Sequence, residues 1–348
     1  MESSDGDTHD TDLNEKLLIL QRLVNNYGQP NPSVINAIAR DLDFIKLNIK
    51  FFGYELATRM AEALPPRSIP APIEHPLTWK PTTQADLESD WAAYWLNELK
   101  IGFIYHRKLW EIVYLLQALH NYRLIRPGAR GLGFGCGNEP FPSYFANAGV
   151  NVTITDLEPS NRQSIGWAET GQHASTLESS FVASLVKRDD FLNFAELIYV
   201  DMNHIPNTLR EYDFCWSICA LEHLGSIEKG LAFVENAMDT LRPGGVAVHT
   251  TEFNFYDDNT TIDNWGCVFF QRKHFLDLAN RLRAKGYEIP EVSFDLGSGP
   301  LDRFIDLPPY SHQVSQDVRK MWITEQHLKL AHDGVASTCY GLIIRKPM

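Results

Sequence analysis

The chain has 348 residues, 44% of them apolar and 22% charged, a balance that supports one large or two ordinary folded domains and excludes a disordered chain. Its formal charge of −13 argues against a non-specific nucleic-acid binder, which needs a basic face to displace counterions. Five cysteines without framework spacing, a polar N-terminus and no uninterrupted apolar run of membrane-spanning length predict a cytoplasmic protein with no disulfide scaffold and no membrane span.

Residues 1–11 read as a disordered polar tail. From 12 to 26, Leu17, Leu20, Leu23 and Val24 recur at helical spacing. After the break at Asn31-Pro32-Ser33 a longer helix carries Ile35, Ile38, Leu42, Ile45, Ile49, Phe52 and Leu56. Their alternating intervals of three and four make a narrow seam of the a/d kind. Residues 12–63 are therefore expected to form a helical hairpin, packed on its own domain or pairing two copies into a homo-oligomer. Residues 64–82 hold six prolines and are expected to be an extended linker. An aromatic-rich helical region, 83–125, follows.

From 126 to 348 the pattern changes to alternating strand and helix. Apolar β-like runs occur at 131–134, 150–155, 197–200, 212–218, 246–251, 292–295 and 337–344. Repeated β-then-α predicts an α/β fold with a doubly wound, mostly parallel seven-stranded sheet and an N-terminal helical extension. Ligands on such a sheet bind beyond the C-terminal ends of the strands.

The first strand runs into GLGFGCGNEP, residues 131–140. Glycines at 133, 135 and 137 allow a tight turn and a close backbone approach to a ligand. The dinucleotide template G-x-G-x-x-G fails from each starting glycine, because its sixth position falls on Cys136, Asn138 or Pro140. No Gly-Lys-Ser/Thr follows, which removes a P-loop. Cys215 and Cys219 have no second cysteine pair and stand in an apolar run, so they read as core residues rather than metal ligands.

The run resembles motif I of the class I S-adenosylmethionine (SAM)-dependent methyltransferases. Gly135 and Gly137 align with its first two glycines, Gly133 stands where the family has an acid, and Glu139 replaces the last glycine. Asp156, Asp201, the Glu222-His223 pair and Leu241-Arg-Pro-Gly-Gly245 follow in the family's order. The resemblance implies a Rossmann-like SAM-binding fold, with SAM as cofactor and S-adenosylhomocysteine as product. It places Asp156 on the ribose and Asp201 beside the adenine. Gly133, Gly135, Cys136, Gly137, Glu139, Leu157, Met202 and Ser217 line the rest of the cofactor site. Tyr105 or Arg107, on the helix before motif I, would meet the methionine carboxylate. The acid missing at Gly133 means that a neighbouring group must serve the methionine amino group.

Methyl transfer to a hydroxyl needs alignment and a base near the acceptor oxygen. His223 is the candidate base, with Glu222, His249 and Glu252 in support. The segment with Asn254 and the polar stretch with Arg303, Asp306 and Tyr310 are candidates for binding the acceptor. The wider pattern is similar to bacterial methyltransferases of surface glycans and sugars, which implies a sugar or glycan acceptor and O-methylation. A divalent metal is not favoured, since Cys219 stands where the metal-binding Glu-x-x-Glu-His motif of terminal RNA methyltransferases has its first glutamate. A nicotinamide oxidoreductase and a non-catalytic assembly module are the rival classes.

Overall fold

A computed structural model describes residues 18, 21–160, 173–321, 325–332 and 334–348. The tail expected over 1–11 and most of the helix expected over 12–26 lie outside them. The described residues divide into two compact units: those of Met1–Phe52 with Leu307–Ile323, and those of Gly53–Asp306 with Thr324–Met348. None of the described helices is long and apolar enough to cross a membrane.

The long N-terminal helix, α1, covers Pro32–Ala63 and opens on a proline, whose missing N–H costs nothing in the first turn. Ile35, Leu42, Ile45, Ile49 and Phe52 of the expected seam are exposed on it. In the smaller unit, Lys50 Nζ lies 4.7 Å above the Tyr310 ring.

The larger unit is built on a mixed sheet with nine strands among the described residues. In chain order these are β1 (Lys80–Pro81), β2 (Arg130–Gly133), β3 (Asn151–Asp156), β4 (Ala195–Tyr199) and β5 (Tyr212–Ile218). The rest are β6 (Leu241–Asn254), β7 (Ile305–Asp306), β8 (Lys329–His332) and β9 (Val335–Arg345). Their spatial order is β4-β3-β2-β5-β6-β9-β8-β7, with β1 also on β9. From β4 to β6 all neighbours are parallel, and β9 is antiparallel to β6. Order runs outward from β2 to β4 and restarts at β5, so the switch point lies between β2 and β5.

The helices of this unit are α2 (Gln84–Leu87), α3 (Asp90–Leu99), α4 (Arg107–Asn121), α5 (Phe141–Asn147), α6 (Arg188–Phe194), α7 (Ile227–Ala237), α8 (Arg272–Ala284) and α9 (Pro300–Arg303). Side-chain caps start several of them: Ser89 accepts from the Ala92 N–H, His106 Nδ1 from that of Lys108, and Ser226 from that of Lys229. The sheet carries helices on both faces. On β6, Thr250 bonds Glu111 of α4, while the ring of adjacent His249 meets Phe233 of α7 at 5.4 Å. The doubly wound α/β class expected from the sequence is the one observed.

The details differ. The run at 292–295 makes no strand: only Val292 bridges, to Trp79. Strands β1, β7 and β8 join instead, each of two to four residues, too short to show an alternation. The proline-rich stretch is part of the larger unit, since Leu77 and Trp79 are buried in its core and β1 pairs with β9. So is the region 83–125, through Trp91, Trp95, Trp110 and Tyr114.

Candidate functional site

A cavity of about 1060 Å³ opens at the C-terminal ends of β2, β3 and β5, at the switch point. Gly135, Cys136, Gly137, Glu139, Asp156, Leu157, Asp201 and Met202 all line it. Eight of the residues singled out for the cofactor are thus brought to one wall. The turn that presents them needs glycine: Gly135 has φ +61° and Gly137 φ +52°, a region costly for other residues. A Cβ on Gly135 would also stand 2.9 Å from Ala220 Cβ.

Asp156 ties this turn to its surroundings. Its Oδ2 accepts from the N–H groups of Gly137 (3.2 Å) and Ala174 (3.0 Å), and Oδ1 accepts from Leu157 N–H (2.8 Å) and faces His173 Nε2 at 3.1 Å. Three backbone N–H groups thus hold the carboxylate, and His173 Nε2, 2.7 Å from the Leu157 carbonyl oxygen, stands beside it. Asp201 shares its oxygens between Asn203 N–H (2.8 Å) and His204 Nδ1 (2.9 Å). Partial burial raises its pKa, but the bonds from His204 and Asn203 outweigh this and hold it below the ordinary value.

Gly133 does not line the cavity. A Cβ there would lie 2.7 Å from Trp216 Cε2 and nearer still to Trp216 Cζ2 and Cys136 Sγ. The Trp216 ring therefore fills the space that a side chain at 133 needs. Its Nε1–H donates to Glu139 Oε2 at 2.9 Å. Burial pushes the Glu139 carboxyl well above the ordinary range, against the lowering effect of that bond.

On the opposite side of the cavity stands His223, with Asn264, Trp265 and Gly266. His223 Nδ1 is 2.8 Å from the Gly266 carbonyl oxygen. A carbonyl only accepts, so Nδ1 carries a proton, and in the neutral tautomer the lone pair is on Nε2. Glu222 is buried behind it: Oε2 accepts from Thr251 Oγ1 at 3.0 Å, while Oε1 has no hydrogen-bond partner among the described residues and lies 3.9 Å from His223 Nε2. Burial raises the Glu222 pKa.

The remaining candidates sit elsewhere. Alternation along β6 sends His249 to the α7 face, where Nδ1 meets Ser217 Oγ at 2.8 Å and burial lowers its pKa to about 3. Glu252 points to the α4 face and is salt-bridged to Arg107. Asn254 holds a turn, accepting from Tyr256 N–H and donating to the Thr260 carbonyl. Tyr105 donates to Glu88 at 2.6 Å. Arg303 is exposed at the end of α9. Asp306 is buried, accepting from Tyr54 (2.8 Å) and facing His327 Nδ1 (2.9 Å), and Tyr310 belongs to the smaller unit. The helix α4 instead gives the cavity Lys108 and Ile112. Lys108 follows Arg107 directly, and a helical face separates neighbours by about 100°, so Lys108 lines the cavity while Arg107 turns to Glu252.

Two clusters have the donor set for a metal: Glu111, Cys219 and Cys339, and Cys219, Glu222 and Glu252. Cations already occupy their surroundings. Arg107 contacts Glu252 and lies 3.0 Å from Cys339 Sγ, and Lys108 Nζ is 3.2 Å from Glu111. A divalent ion there would face two fixed positive charges, so the residues present do not fit one.

Residues 105–292, more than half of the chain, match the sequence profile of the family described as "Methyltransferase domain". The chain belongs to this family of SAM-dependent methyltransferases. The methyltransferase also shares likeness with solved structures of low identity. A protein of Galdieria sulphuraria described as a sarcosine dimethylglycine methyltransferase is 16% identical, covering 67% of this chain and 83% of that one at a TM-score of 0.38. A SAM-dependent methyltransferase from Aquifex aeolicus is 12% identical (66% and 88%, TM-score 0.32). One from Mesorhizobium loti is 15% identical (66% and 98%, TM-score 0.34). Curated proteins contain no match to the chain. The methyltransferase cavity suits SAM by its own features: a glycine turn that lets a ligand touch backbone, and three carboxyl groups around a nucleoside-sized space.

Proposed function

We propose that this methyltransferase acts on a hydroxyl of a sugar or glycan, with His223 as general base. The observation that carries the reading is the 2.8 Å contact between His223 Nδ1 and the Gly266 carbonyl, which puts the lone pair of the neutral imidazole on Nε2 of a residue that lines the cavity. When bound, SAM supplies a methyl group on a sulfonium, open to in-line attack. The glycine turn and Asp156 would orient the donor, and His223 Nε2 would take the hydroxyl proton as the acceptor oxygen bonds to the methyl carbon and the carbon–sulfur bond breaks to release S-adenosylhomocysteine. Glu222 Oε1, buried with no hydrogen-bond partner among the described residues, then offers a counter-charge to the imidazolium at 3.9 Å. Trp265, 69% exposed although it lines the cavity, offers an aromatic face of the kind that stacks on sugar rings. Lys108 lines the cavity, which supports it over Tyr105 or Arg107 as the cation for the methionine carboxylate.

The test is methyl transfer from labelled SAM to a panel of sugars, glycans, nucleosides and amines, with wild type and His223→Ala. Labelling of sugars, lost by 100-fold or more in the variant while S-adenosylhomocysteine binds within about threefold, is the expected result. Near-normal turnover in His223→Ala would end the base assignment, and labelling of amines alone would end the hydroxyl assignment.

A further inference from the structure

We propose that Glu139 is the acceptor for the α-ammonium group of SAM, held in place for that purpose by Trp216. The inference rests on the methyltransferase assignment and concerns how this chain recognises the amino-acid end of its cofactor. SAM brings one primary ammonium into the cavity, and a low-dielectric wall must offer it an acceptor. Three acids line that wall: Glu139, Asp156 and Asp201. Asp156 already accepts from the N–H groups of Gly137, Leu157 and Ala174, and Asp201 from Asn203 N–H with His204 Nδ1 at its other oxygen. Glu139 accepts one hydrogen bond, from Trp216, and its second oxygen has no such partner among the described residues. Of the three lining acids it has the fewest acceptor positions taken.

The placement is built rather than incidental. Trp216 fills the space beside Gly133, which excludes a side chain there, and the same ring carries the N–H that fixes Glu139. Glu139 also lacks a sufficient counter-charge in the free protein. Burial, with Glu111 and Asp156 adding to it, outweighs the pull of Lys108 and keeps the carboxyl inclined to hold its proton. An ammonium beside it reverses that preference. The balanced step is that the Glu139 carboxyl releases its proton to solvent as the ammonium arrives, leaving a carboxylate–ammonium pair. No bond in the cofactor changes.

The experiment titrates wild type, Glu139→Gln and Trp216→Phe with three ligands by calorimetry. These are S-adenosylhomocysteine, its analogue without the α-amino group, and 5′-methylthioadenosine, which lacks the amino-acid end. Glu139→Gln is expected to weaken S-adenosylhomocysteine roughly tenfold or more, the scale of a charge-assisted hydrogen bond, and to leave the other two within twofold. Trp216→Phe, which keeps an aromatic ring of smaller size and removes the donor, is expected to show a smaller loss of the same pattern. Near neutral pH, wild type should release protons on binding S-adenosylhomocysteine, seen as an enthalpy that follows the ionisation enthalpy of the buffer, and Glu139→Gln should not. Retained methylthioadenosine binding reports that each variant is folded. Equal losses for all three ligands, or none for any, would overturn the proposal while leaving the methyltransferase standing. A wild type that binds none of the three would take both down.

Discussion

Putting the family's acid back at position 133 should harm this protein. Gly133→Asp places a Cβ within 2.7 Å of Trp216 Cε2, and closer to Cys136 Sγ, at the buried end of β2. Trp216 is fully buried against Phe141 and Phe145, with ring centroids at 6.5 and 5.3 Å, so the ring has little room to yield. Overpacking of this kind costs about 1–3 kcal/mol. A buried carboxyl beside Glu139, with no cation to pair it, adds about 1–3 kcal/mol more even if it stays protonated. A sum near 4 kcal/mol corresponds to a fall in Tm of roughly 10 °C for a domain of this size. Scanning calorimetry on Gly133→Ala and Gly133→Asp separates the terms, since alanine carries the steric cost alone and should lose roughly half as much. A Trp216→Ala background should reduce the cost of either substitution. A Gly133→Asp variant with the wild-type Tm and tighter S-adenosylhomocysteine binding would refute the reasoning, because the space credited to Trp216 would then be available.

Asp156→Asn turns an amide N–H toward the backbone N–H groups that the carboxylate now accepts; we expect a Tm lower by several degrees and S-adenosylhomocysteine binding weaker by about tenfold or more, from lost charge-assisted bonds. Unchanged values would show that the glycine turn holds its shape unaided. Lys329 is fully buried, donates to the Thr82 carbonyl and lies 3.8 Å from Asp302; burial lowers its pKa to about 8, against the raising effect of Asp302. The folded state thus sheds this proton before the unfolded state does, and stability should rise between pH 8 and 9.5 by about 1.5 kcal/mol from this group. Denaturant titrations of wild type against Lys329→Met read it as a difference in slope, and parallel curves would remove the effect. The exposed strip Leu42, Ile45, Ile49 and Phe52 on α1 has the three-and-four spacing by which helices pair, and we propose that a second copy covers it. Ile45→Glu with Ile49→Glu should then convert a sedimenting dimer to a monomer with unchanged cofactor binding, whereas a monomeric wild type would dismiss the pairing.

What the sequence shows of the site follows from how local each demand is. The glycine turn and the acids at the ends of β3 and β4 are legible because a tight turn and a strand end are set by residues next to one another. His249 could have been assigned from the same rule that places Glu252: alternate residues of β6 face opposite sides of the sheet, and His249 falls on the side of α7, with Phe233. Lys108 needed the rotation of α4 about its axis, which depends on packing against β5, β6 and β9. Asp306 looked like part of an acceptor lid because its segment is polar and rich in proline and glycine. It is buried instead, because Tyr54 and His327, both far away in sequence, satisfy it. The departures in motif I are the most instructive case. Taken singly, Gly133 and Glu139 read as two losses from a pattern. Trp216 stands 77 residues beyond Glu139, and only when β2 and β5 pair does its ring close the space at Gly133 while its N–H takes Glu139. The two departures are then one change, coupled through a tryptophan that no pattern along the chain connects to them.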